Sequence, residues 1–72
     1  MAEILNPSKE QIEAYRKAFR DEVIRINKEE AERPFSAEEL EFPLNRMSDE
    51  SAIYYMQHGV PAESVAYVEF MR

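Results

Sequence analysis

The sequence predicts an all-α fold, a small bundle of three to four helices with one long N-terminal helix (about 8–32) followed by short helices (about 36–42, 49–58 and 61–71). Three observations carry that prediction. Ile12, Tyr15, Phe19, Val23 and Ile26 recur at steps of three or four and draw one apolar stripe along a helix. Serines at 8, 36 and 48 each open a pattern that starts helices. Only one glycine and four prolines interrupt the 72 residues.

The first helix begins either at Asn6-Pro7, with proline in the first helical position, or at Ser8 with Gln11 completing a capping box. Pro34 forces it to end near Glu32 or Arg33, because proline disfavours helical geometry in the residue before it. Glu13 to Lys17, Asp21 to Arg25 and Glu29 to Arg33 run acid to base at i, i+4 and support a solvated face. The second helix starts at Ser36, whose hydroxyl caps the Glu39 amide while Phe35 and Leu40 stand at staple positions, and Pro43 stops it. Residues 42–47 read as an apolar connector lying against the core.

Ser48 opens the third helix, with Asp49 and Glu50 near its positive end. Gly59 closes it in the left-handed conformation, which folds Val60 back towards Tyr55. Pro61 begins a fourth helix with Val65, Val68 and Met71 on one face, widened by Ala66, Tyr67 and Phe70. The β-branched and aromatic content of 65–71 leaves a terminal strand open, but the step from Val65 to Val68 favours a helix.

Length and composition bound the rest. A chain of 72 residues reads as a single helical domain, 1–72, and hides only about 60% of its unfolded surface. With 44% apolar and 33% charged residues it is globular in composition. Without cysteine there is no disulfide framework, and with no basic, apolar leader or membrane-length apolar run the chain reads as cytoplasmic. The net charge of −6 is regional: residues 8–33 balance seven bases with seven acids, whereas residues 34–72 set Arg46 and Arg72 against seven carboxylates.

No constellation for catalysis stands out, so the chain reads as noncatalytic, with neither cofactor nor metal. His58 is the only imidazole, and a zinc site needs several converging donors. Glu38, Glu39 and Glu41 lack the spaced oxygen ligands and central glycine of a calcium loop and read as acids at a helix start. Ser8, Ser36 and Ser48 read as caps rather than nucleophiles, and one glycine cannot build a phosphate cradle.

Residues 48–72, two short helices joined by His58-Gly59-Val60-Pro61, resemble a helix-turn-helix in the spacing of Gly59, Val65 and Val68. That resemblance implies a DNA-binding regulator. Tyr55 stands where such motifs keep a small residue, and the second helix has Glu63 and Glu69 but no base before Arg72, against the phosphate contacts that DNA binding requires. The same turn spacing occurs in small three-helix ubiquitin-binding folds and carries no assignment by itself.

The acids at 38, 39, 41, 49, 50, 63 and 69 open another alternative, an inhibitor that mimics nucleic acid. The leading expectation is a protein-interaction or regulatory module. Its contact residues would be Tyr54, Tyr55, Tyr67, Phe70 and Met71, rimmed by Glu63 and Glu69. The expected partner is a protein with a basic or mixed surface, or a second copy in a homodimer burying 60–71.

Overall fold

The computed structural model describes residues 4–70, Phe70 by its backbone alone, and they form four helices. These are α1 (Lys9–Glu29), α2 (Ala37–Leu44), α3 (Asp49–Gln57) and α4 (Ala62–Phe70). Residues 65–70 are helical, and Met71 lies outside the described residues. No described helix is long and apolar enough to cross a membrane.

The serines set three of the four starts. Ser8 accepts from the Gln11 amide at 3.1 Å and the Gln11 side chain accepts from the Ser8 amide at 2.8 Å, so Ser8 rather than Pro7 begins α1. Ser36 and Glu39 close the same box on α2. Ser48 caps the Ser51 amide at 3.1 Å. Gly59 has φ 67°, and the bonds Gly59 N–H to Met56 O (3.2 Å) and Val60 N–H to Tyr55 O (2.9 Å) form a complete Schellman closure of α3. Pro61 caps α4 instead of opening it: its carbonyl accepts from Ser64 at 3.1 Å.

Other boundaries depart from expectation. α1 stops at Glu29, well short of Pro34, because Asn27 draws the following chain back onto the helix. Its Oδ1 accepts from the Phe35 amide at 2.6 Å and its Nδ2 donates to the Phe35 carbonyl at 3.2 Å. Asn27 itself is only 8% exposed. Pro43 lies inside α2 rather than ending it. It stands in the last turn, where its missing N–H removes only one helical bond, and Asn45 still donates to Glu41 O at 2.9 Å.

The ion pairs also differ from the expected ones. Lys17 pairs with Asp21, and Arg25 with Glu22 and Glu30, while Arg16 reaches Asp49 on α3. Long basic side chains choose among several acids within reach, so i, i+4 spacing alone does not select the partner.

α1 is the common support. α4 packs along it most extensively, then α3, then α2, while the three outer helices have little contact with one another. Tyr15 donates to Val60 O at 2.6 Å near the start of α4, and Tyr67 near its end donates to Glu30, so α4 runs parallel to α1. The links Arg16 to Asp49 and Gln57 to Leu5 make α3 antiparallel. At 21 residues and about 1.5 Å each, α1 spans most of the 37 Å long axis.

Phe19, Val23 and Ile26 on α1 are at most 1% exposed and meet Met47, Ala52, Ala62, Val65 and Ala66 in one cluster. Each of the three large side chains contributes about 1.5–3 kcal/mol by leaving water. The alanines let α3 and α4 approach α1 closely. Of the 42–47 connector, Pro43 and Met47 are buried as expected, but Phe42 is 69% exposed.

Candidate functional site

Phe42 projects from the last turn of α2 and is held from behind. Arg46 follows at i+4, and its guanidinium carbon lies 4.8 Å from the centre of the Phe42 ring. The same guanidinium bonds the Glu69 carboxylate of α4 at 3.1 Å. Arg46 is thereby a strut between two helices that scarcely touch, and the ring it supports faces solvent. Val68, beside Glu69, is 58% exposed on the outside of α4.

The predicted contact residues do not form one patch. Tyr54 and Tyr55 lie together near the N-terminal end of α1, in edge-to-face contact with ring centres 5.6 Å apart. Tyr54 is exposed, while Tyr55 is half-buried against the core. His58 sits 4.3 Å from the Tyr54 ring, and its Nδ1 meets the Tyr54 carbonyl at 2.8 Å. A carbonyl only accepts, so Nδ1 carries the proton. Glu63 is exposed at this end of the molecule, near enough to act on Tyr15. Burial first, then the neighbouring Tyr55 and Glu63, pushes the Tyr15 hydroxyl up to about 12.

Tyr67 lies at the other end, bonded to both oxygens of Glu30 at 2.7 and 2.8 Å. Glu30 bonds Arg25 at 3.0 Å, and Arg25 grips Glu22 through two bonds of 2.6 and 2.9 Å. The Arg25 bonds hold Glu22 below the usual carboxylate range, and Glu22 and Tyr67 in turn hold the proton on Arg25 more firmly. Acceptance by Glu30 raises the Tyr67 hydroxyl. Glu69 is tied to Arg46 rather than free at a rim. The side chain of Phe70 and all of Met71 lie outside the described residues.

Phe42 and Arg46 are functional candidates that sequence reasoning missed. The signal was their i, i+4 spacing, which becomes visible only once α2 is known to continue through Pro43. Of the acids proposed to imitate phosphates, Asp49 and Glu69 are neutralised by arginines and the others are distributed over α2, α3 and α4. The outer face of α4 carries Glu63, Ser64, Tyr67 and Val68, without a cation among the described residues. Among those residues, no three histidines or carboxylates gather as a metal site. No protein-family model, curated protein or solved structure matches this chain, so its function rests on its own geometry.

Proposed function

We propose that the chain is a noncatalytic protein-interaction module whose docking surface centres on Phe42 in the acidic C-terminal half. The observation that carries the reading is a phenylalanine 69% exposed yet braced by Arg46 and, through it, by Glu69. An apolar ring held in place before binding loses little freedom when a partner covers it, which is how aromatic anchors acquire their share of affinity. Val68, next to Glu69 in the chain, is exposed as well, and Glu38, Glu39 and Glu41 along α2 favour a partner with basic or mixed charge.

Two further features fit a binding role better than catalysis. The three helix-opening serines are engaged as caps, and the His58 Nδ1 is committed to the Tyr54 carbonyl.

Cross-linked capture from extracts of the native host tests the proposal, using the full chain and its Phe42→Ser and Leu5→Ser variants. Leu5 is 66% exposed at the opposite end of α3 and serves as control. A protein captured by the wild type and by Leu5→Ser, but not by Phe42→Ser, supports the reading. Capture that ignores Phe42→Ser overturns it.

A further inference from the structure

A second surface on the molecule is shaped to receive what Phe42 offers. A cleft of about 250 Å³ opens between the N-terminal half of α1 and the end of α2. Phe19, Leu44 and Met47 form its floor, and Arg16, Lys17 and Arg20, with Glu13, form its rim. Small-molecule sites occupy about 300–1,000 Å³, so this cleft is sized for one or two side chains rather than for a cofactor.

Two of the rim cations are already engaged. Arg16 bonds Asp49 and the Met47 carbonyl, and Lys17 bonds Asp21. Arg20 is exposed and bonds no other described residue. With the exposed Glu13 also on the rim, the matching guest is an apolar or aromatic side chain with a carboxylate placed to reach Arg20.

The chain itself carries such a guest. Phe42 stands on a helix with Glu38 one turn earlier and Glu41 beside it, and α2 contains no basic residue. We propose that Phe42 of one copy enters the Leu44–Met47 cleft of a second copy, with α2 carboxylates of the first copy meeting Arg20 of the second. This rests on Phe42 being a docking residue and goes further by naming the partner.

Phe42 and Leu44 point about 200° apart around α2, so no copy can fill its own cleft with its own ring. Because the ring and Leu44 lie on opposed sides of α2, ring and cleft do not share one two-fold interface, so the contact is head-to-tail and propagates into rings or chains. Its small area places it among weak, transient contacts, and the charge pairing makes it weaken as salt rises.

Sedimentation equilibrium on four samples decides the matter: wild type, Phe42→Ser, Arg20→Glu, and an equimolar mixture of the two variants. Both substitutions are at exposed positions, and circular dichroism melts verify that each variant is folded. The wild type is expected to rise with concentration from 8.5 kDa to beyond the mass of a dimer. Each variant alone associates at least about tenfold more weakly. The mixture forms one-to-one pairs and goes no further, because one variant keeps its cleft and the other keeps its ring.

A wild type that stays monomeric at every concentration overturns the proposal, and so does a mixture that fails to pair where the wild type associates. If a monomeric wild type still captures a different protein through Phe42, self-association falls while the interaction module stands. If both fail, the docking role of Phe42 falls with them.

Discussion

Replacing Asn27 by alanine tests whether one side chain decides where α1 ends. Asn27 is 8% exposed and makes two bonds with the backbone of Phe35, at 2.6 and 3.2 Å. Each bond contributes about 1 kcal/mol net, so the loss is about 2 kcal/mol. A chain of 72 residues at about 0.05–0.15 kcal/mol per residue has a total stability of about 4–11 kcal/mol, so the change is a large fraction of it. Urea unfolding with a slope of about 1 kcal/mol per molar moves its midpoint down by about 2 M. Asn27→Asp keeps the acceptor for the Phe35 amide but loses the donor and buries a charge, so it destabilises as well. Hydrogen exchange of the Phe35 amide should quicken in Asn27→Ala. A change in stability below about 0.5 kcal/mol, the range of ordinary surface substitutions, would refute the idea that this clip holds the α1–α2 turn.

Ala66→Leu, at a fully buried position between α4 and α1, overfills the contact and costs about 1–3 kcal/mol, read as a melting temperature lower by about 4–8 °C per kcal/mol. Gly59→Ala places a β-carbon at φ 67° and costs about 1 kcal/mol in denaturant unfolding, whereas Gly59→Asn is milder because asparagine tolerates this region. The Tyr15 hydroxyl loses its proton at about 12 when folded, against 10.0 ordinarily. Between those values the unfolded chain releases the proton first, so the stabilisation is complete below pH 10.0 and is lost as pH rises towards about 12. Thermal melts across that window, with and without Tyr15→Phe, should show a shallower alkaline loss in the variant.

The local grammar of this chain was legible because it depends on neighbours in sequence. Ser8 with Gln11, Ser36 with Glu39, and Gly59 after Gln57 and His58 act through bonds spanning three to five residues, and the structure has each of them. The stripe from Ile12 to Ile26 likewise names the face of α1 that turns inward. What was hidden depends on distant partners. Asn27 falls four residues after Val23, on the edge of that stripe, but nothing local says that the backbone at 35 returns to it. Arg46 reads as a lone base until α4 brings Glu69 to its other side. Arg16, Lys17 and Arg20 read as a solvated face until Leu44 and Met47 supply a floor beneath them. Pro43 reads as a stop because proline is costly inside a helix, and its place in the final turn is what makes that cost small.

The direction of α4 bears on how the molecule comes together. Because α4 comes last in the chain, the chain must travel through α2 and α3 before the most extensive helix pair, a parallel one, can close. The side chains at 19, 23 and 26 find Val65 and Ala66 only across about 40 residues of intervening chain, whose closure costs entropy before any packing offsets it. Helices α1 to α3 alone would cover only the part of that face that Met47 and Ala52 reach, leaving the strip that meets Val65 and Ala66 open along α1. Closing that span is expected to make folding slower than in a bundle of consecutive hairpins, and a chain whose α4 has not docked would expose the strip of α1 that it covers.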